Sequence, residues 1–250
     1  MANDIDRIAR VLSENKKGVF FTGAGISTES GISDYRSQGG IWEKFRPVYF
    51  DDFMSSRDAR IEYWRRKKEM NEQLSVARPN RAHQAIAALH DKGFVDAVVT
   101  QNIDGLHQES GMPDDAVIEL HGNTRRVRCM SCSEMSSLED SFARIEAGDP
   151  APECTCGGYL KPDTISFGQA MPQEEMHRAV SITKSSRVFV VVGSTLLVQP
   201  ASYLPGYARE AGAFLAIINL SETPYDDVCQ VLIRDQAGAA LQALKDRLAA

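Results

Sequence analysis

The chain has 250 residues, of which 43% are hydrophobic, 25% charged and 8% aromatic, with a formal net charge of −6. These fractions exclude a disordered, collagen-like or fibrous chain, and the length allows one large domain or a domain with a smaller lobe. The acidic balance argues against a general binder of nucleic acid or anionic membrane, and no apolar run approaches the roughly 20 residues that span a bilayer.

Ile5, Ile8, Val11 and Leu12 recur at helical spacing after Asn3 and Asp4, both good N-cap types, and Gly18 is expected to close that helix. The segment is polar and lacks the apolar core of a secretory signal, so the cytoplasm is the expected address. Residues 19–22 read as a short buried strand running into Gly23-Ala24-Gly25. Residues 82–90 read as a helix ended by Gly93, and the β-branched strand 96–100 then ends at Gln101-Asn102. A third strand, 187–192, ends at Gly193-Ser194-Thr195, and a fourth, 214–218, ends at Asn219. Leu241, Leu244 and Leu248 mark an amphipathic C-terminal helix. Apolar strands alternating with helices predict an α/β fold, a Rossmann-like parallel sheet covered by helices on both faces. Ligands bind outside the carboxyl ends of such strands, so the four strand ends outline one cleft.

Two stretches interrupt the alternation. Residues 38–78 carry Gly39-Gly40, the aromatics Phe45, Tyr49 and Phe50, and a charged helix; residues 123–163 carry most of the cysteines and Gly157-Gly158. Together they are expected to form a small lobe, with 1–37, 79–122 and 164–250 making the large lobe of a single unit. Arg57, Arg60, Arg65, Arg66, Lys67 and Lys68 suggest that the charged helix is largely solvated.

Five cysteines, an odd number in a chain with no export signal, argue against a disulfide framework. Four of them group as Cys129-x-x-Cys132 and Cys154-x-Cys156, while Cys229 stands apart. Four thiolates suit a closed tetrahedral zinc site of structural type.

Gly23-Ala24-Gly25-Ile26-Ser27 follows a strand, where glycines admit close backbone approach to a pyrophosphate. The third glycine of a dinucleotide fingerprint would fall at Thr28, so a plain strand-to-helix turn is the competing reading. The continuation decides between them. GAGISTESGISDYR at 23–36, TQNIDGLH at 100–107, ELHG at 119–122, VVGSTLLVQPA at 191–201 and IIN at 217–219 occur in one order. In these motifs the chain resembles the sirtuins, the NAD-dependent protein-lysine deacylases, over roughly residues 5–248. The cysteines lie between ELHG and LKPDTISFG, where that family carries its zinc module.

The resemblance implies NAD as co-substrate, an acyl-lysine protein or peptide as partner, and one structural zinc held by Cys129, Cys132, Cys154 and Cys156. Nicotinamide would leave, the acyl oxygen would attack the ribose carbon, and His121 would take a proton from a ribose hydroxyl. An imidazole with a pKa near ~6.5 suits that task. The products would be free lysine, nicotinamide and O-acyl-ADP-ribose. The resemblance assigns NAD to Gly23, Ala24, Gly25, Ser27 and Thr28, and to the loop residues Asp34, Tyr35 and Arg36. Gln101, Asn102, Ile103 and Asp104 would serve the ribose and nicotinamide, Gly193, Ser194 and Thr195 the phosphates or ribose, and Asn219 and Leu220 the adenosine. The acyl-peptide would lie as a strand between Ser166-Phe167-Gly168 and Leu197-Val198-Gln199, with Phe167, Gly168 and Val198 in contact.

Tyr63 and Arg66 are three apart and share a helix face, an arrangement that in some sirtuins grips an acidic acyl group. Plain deacetylation remains the expected activity. Three departures from the family pattern stand out: the second cysteine pair is C-x-C, Ser33 replaces a proline, and Gln169 replaces an acid. The rival readings are ADP-ribosyl transfer or hydride transfer on the same sheet type. An oxidoreductase would want the full glycine fingerprint and an acid about 20 residues on, and neither is clear.

Overall fold

The computed structural model describes residues 1–34 and 46–249. The first helix, α1 (Ala2–Asn15), buries Ile5, Ile8, Ala9 and Leu12. It starts earlier than its cap-like residues suggest: Met1 occupies the N-cap, so Asn3 and Asp4 lie within the helix. Lys16, left-handed at φ 47°, ends it. Gly18 instead opens strand β1 (Gly18–Thr22), where a Cβ would sit 2.6 Å from Leu12 Cδ2 and 2.7 Å from the Phe94 carbonyl.

A 3-10 helix (Ala24–Ser30) follows, then α2 (Phe50–Ser55), α3 (Arg57–Val76), α4 (Arg81–Asp91), β2 (Val95–Thr100), α5 (Leu106–Glu109) and β3 (Val117–Glu119). Strands β4 (Gly122–Cys129) and β5 (Met135–Ser137), helix α6 (Leu138–Glu146) and strand β6 (Leu160–Thr164) come next. The chain closes with α7 (Gln173–Ser185), β7 (Val188–Val192), α8 (Leu204–Glu210), β8 (Phe214–Ile218), β9 (Val231–Ile233) and α9 (Ala237–Ala249).

Six strands form one parallel sheet in the order β3-β2-β1-β7-β8-β9. Every residue of β1 and β7 is buried, because helices cover both faces and neither side can be polar. One face packs Phe20, Ile86, Leu89 and Leu241 against α1, α4 and α9; the other packs Phe21, Val191, Leu204 and Leu215. The edge strands β3 and β9 were not anticipated; each has three residues.

A second, antiparallel sheet has the order β5-β4-β6. It joins the large sheet at Gly122, which pairs with Thr164 and has φ 73°; a Cβ there would meet the Asp163 carbonyl at 2.0 Å. Only glycine fits. Trp64 of α3 packs with Val127, Cys129, Leu138 and Leu160, and its Nε1 donates to the Leu160 carbonyl at 3.2 Å. The inserted helix and the cysteine-bearing sheet therefore share one core.

Candidate active site

From β1 the chain builds β2 and β3 on one side, then returns to place β7 against the other side of β1. The carboxyl ends of β1 and β7 thus mark the point where strand order reverses, the usual crevice of such sheets. The two turns there interlock. Gly23 N–H donates to the Val192 carbonyl at 3.0 Å and Gly25 N–H to the Gly193 carbonyl at 2.8 Å. A Cβ on Gly25 would lie 2.8 Å from Gly193 Cα, and one on Gly193, whose φ is 63°, would lie 2.3 Å from Ile26 N. The glycines are required by the neighbouring turn. The Gly23 and Gly25 amides are spent on it and that of Gly193 on the Ile218 carbonyl, which narrows the expectation that they serve to admit a pyrophosphate.

A cavity of about 760 Å³ opens over this crossing. Its floor includes Gly23, Ala24, Gly25 and Thr28 from the first turn, with Gly193, Ser194 and Thr195 from the seventh strand. Gln101, Asn102 and Ile103 approach from β2, Asn219 and Leu220 from β8, and Asp34 from the end of the first described segment. Tyr35 and Arg36 lie outside the described residues. Ser27 and Asp104 sit one layer behind the wall, 1% and 7% exposed. There Ser27 Oγ donates to Asp104 Oδ2 at 2.7 Å, Leu106 N–H donates to Asp104 Oδ1 at 3.0 Å, and Asn102 Nδ2 donates to Ser27 Oγ at 3.1 Å. The carboxylate braces Asn102 through a serine.

His121 follows β3 and lines the same cavity. Its Nδ1 lies 2.8 Å from the Gln101 carbonyl. A carbonyl can only accept, so Nδ1 carries the proton and Nε2 holds the lone pair. Burial lowers the pKa of His121, and the Gln101 carbonyl partly offsets this. The ring is a neutral base near pH 7. Gln101 Nε2 in turn donates to Ser194 Oγ at 2.7 Å, tying β2 to the β7 turn.

Tyr63, Arg66, Phe167, Gly168 and Val198 line the same cavity. Tyr63 Oη lies 3.3 Å from Thr164 Oγ1, and Arg66 Nε donates to Glu62 Oε1 at 2.6 Å. Lys67, Thr164, Ile165, Glu29 and Gln236 also line the cavity; sequence reasoning assigned a role to none of them. The expectation of a solvated basic helix fails at Arg60 and Lys67, both buried. Arg60 stacks its guanidinium 3.6 Å over the Tyr159 ring and donates to the Phe53 carbonyl at 3.0 Å. The cationic run hides a face that packs inside the small lobe.

Among the described residues, the Sγ atoms of Cys129, Cys132, Cys154 and Cys156 lie within 4.8 Å of one another. Cys129 and Cys156 are 3.6 Å apart, and Cys132 and Cys154 3.8 Å. Zinc–sulfur bonds of about 2.3 Å in a tetrahedron require sulfurs about 3.8 Å apart, so four thiolates here fit zinc despite the short C-x-C pair. The Ser131 and Cys132 amides donate to Cys129 Sγ, favouring its thiolate.

Residues 23–200 match the Sir2 family. The NAD-dependent protein deacetylase 1 of Bradyrhizobium diazoefficiens is 47% identical over 96% of this chain and 95% of its own length. A second such deacetylase, from Rhodopseudomonas palustris, is 42% identical, with 96% of each chain covered. A solved Sir2 structure with deacetylated p53 peptide and 3′-O-acetyl ADP-ribose superposes with a TM-score of 0.89 at 35% identity over 97% of both chains. Another, with p53 peptide and NAD, gives 0.86 at 34% identity, again over 97% of each.

Proposed function

The chain belongs to the Sir2 family, and we infer from that premise how its active-site residues divide the work. The protein is an NAD-dependent protein-lysine deacetylase that yields free lysine, nicotinamide and O-acyl-ADP-ribose. NAD, when bound, supplies nicotinamide as leaving group and the ribose carbon that receives the acyl oxygen.

The base is His121. Its Nδ1–H is committed to the Gln101 carbonyl, so only Nε2 remains to take a proton from a ribose hydroxyl. This relationship carries the assignment: a backbone acceptor fixes the tautomer, and burial keeps the ring neutral. Asn102 turns its amide toward Gly23 and Ser27, and with Ile103 and the bracing Asp104 it forms the nicotinamide end. Thr28 and Asp34, with Ser194 and Thr195, supply polar groups for the ribose and phosphates, and Asn219 and Leu220 close the adenosine end. We place Tyr35 and Arg36 with the cofactor loop on the family resemblance alone.

The acyl-lysine enters from the Phe167-Gly168 and Val198 side, and its acyl group ends near Tyr63 and Arg66. Cys129, Cys132, Cys154 and Cys156 hold a zinc that organises the small lobe and stands apart from the reaction. We draw the large lobe from 1–37, 79–122 and 164–250, and the small lobe from 38–78 and 123–163. None of the five cysteines forms a disulfide, and with four of them given to zinc we read the compartment as a reducing, cytoplasmic one.

Mass analysis of an acetyl-lysine peptide incubated with and without NAD tests the activity. Lysine should be unmasked only with NAD, with one nicotinamide released per turnover. NAD consumption without deacetylation would favour ADP-ribosyl transfer instead.

A further inference from the structure

Two lysines flank the ring of Tyr63 inside the small lobe. Lys161 Nζ stands 5.3 Å from the ring centroid and Lys67 Nζ 5.8 Å. Lys161 is 0% exposed and its amine is satisfied, because it donates to the Pro162 and Thr164 carbonyls. Lys67 is 8% exposed, yet among the described residues its amine meets no hydrogen-bond acceptor and no carboxylate. It lines the cavity, beside Tyr63 and Met70. Buried polar groups are costly unless paired, so an amine left without a partner in a cavity wall marks the place of a ligand atom.

The surroundings of Lys67 indicate which part of the ligand it meets. Tyr63 and Lys67 stand one turn apart on α3 and share a helix face. Tyr63 Oη lies 3.3 Å from Thr164 Oγ1, and the next residue, Ile165, donates its N–H to the His121 carbonyl at 3.0 Å. The reacting acyl carbon must sit beside the base, and in the placement given above the rest of the acyl chain runs on toward Tyr63. On that placement Lys67 meets the tail of the acyl group, past its carbonyl. Burial lowers the Lys67 pKa, the Tyr63 phenol offsets part of this, and the charge of Lys161 adds to it, so the amine is drawn toward its uncharged form. An uncharged amine both gives and accepts hydrogen bonds, which suits a hydroxyl. A carboxylate asks for a standing positive charge, and Arg66, one residue before, is paired with Glu62.

We propose that Lys67 is a specificity-determining residue that reads a hydroxyl on the acyl chain, so that the protein removes hydroxyacyl groups from lysine in preference to the same groups without the hydroxyl. The proposal rests on the deacylase reading and adds a substrate class to it. The hydroxyl supplies the partner that the Lys67 amine lacks, and a chain without it leaves that amine buried and unpaired. A site of this kind rejects the analogue that lacks the polar group.

The test uses one peptide whose lysine carries, in turn, 3-hydroxybutyryl or butyryl, and 2-hydroxypropionyl or propionyl, with each hydroxyacyl enantiomer made separately. In at least one pair the hydroxyl should raise kcat/KM about three- to ten-fold in the presence of NAD, and Lys67→Met should bring that ratio to about one. The ratio is taken within one preparation, so any loss of folded enzyme cancels. Lys67→Gln keeps a hydrogen-bonding end and should retain part of the preference; it stands in if Lys67→Met does not fold. Ratios at or below one in every wild-type pair, or a preference that Lys67→Met leaves intact, overturn the proposal. So does a succinyl peptide that outpaces the hydroxyacyl ones and loses its lead in Lys67→Met, since the amine would then read a carboxylate. Should the deacylase reading itself be wrong, the wild type would unmask no peptide, acetyl included, an outcome distinct from any of these.

Discussion

The Gln101 carbonyl, one residue past β2, sits 2.8 Å from His121 Nδ1, so a strand end dictates which nitrogen of the base is free. No side-chain carboxylate is needed to set the tautomer. That arrangement orients the imidazole before any substrate arrives, while burial keeps it uncharged.

His121→Ala should therefore lower deacetylation by about 10²–10⁴-fold while NAD still binds, measured by turnover and by calorimetry on the same preparation. Because burial lowers the His121 pKa, the neutral base persists below its ordinary value, so the acid limb of kcat/KM should be centred below pH 6.5. A limb centred at or above pH 7 would assign that ionisation to another group.

Metal analysis should find about one zinc per chain, lost in Cys156→Ser and retained in Cys229→Ser. Cys229 packs against the large-lobe core and donates to the Asp226 carbonyl at 3.3 Å, away from the cluster. Equal zinc in both variants would refute the four-thiolate site.

Two glycine substitutions separate backbone strain from crowding. Gly31 has φ 83°, and a Cβ there would meet nothing within 4 Å, so Gly31→Ala should cost about 1 kcal/mol from conformation alone. Gly193→Ala adds contacts of 2.3 Å to the Ile26 backbone and should cost about 2–4 kcal/mol, read as denaturant midpoints.

Lys161 is fully buried, and desolvation lowers its pKa to about 7. The unfolded chain binds that proton up to about pH 10.4, so between pH 7 and that value unfolding takes up a proton and stability rises with pH. Lys161→Met should flatten the rise in urea melts taken at pH 7, 8 and 9. An unchanged slope would mean that the amine stays charged in the fold, held by its bonds to the Thr164 and Pro162 carbonyls.

Acetyl-lysine peptide should outpace its succinyl counterpart, because Arg66 is already committed to Glu62, whose pKa Arg65 and Arg66 hold at about 2. Arg66→Met should then lower the acetyl and succinyl rates alike, or neither. A selective loss on the succinyl peptide would show that Arg66 reads an acyl carboxylate after all.

The strands that carry the cleft were legible because helices bury both faces, and stretches such as Val188–Val192 become unbroken apolar runs. Their order was not, since a run of valines does not name its neighbour. The edge strands Val117–Glu119 and Val231–Ile233 were too short to show a period. Most motif residues line the cavity, but the motifs could not separate its wall from the layer behind it, as Ser27 and Asp104 show. Lys67 was placed on a solvated face because its neighbours are charged; the small-lobe packing shows that it faces inward.

The hydrogen bond from Trp64 to the Leu160 carbonyl spans 96 residues of chain. During synthesis, the helix carrying Trp64 emerges well before the strands that cover it. Until residues 127–160 have been made, the indole lacks the partners it packs with in the finished fold. The small lobe therefore closes its core only when its second insertion is complete.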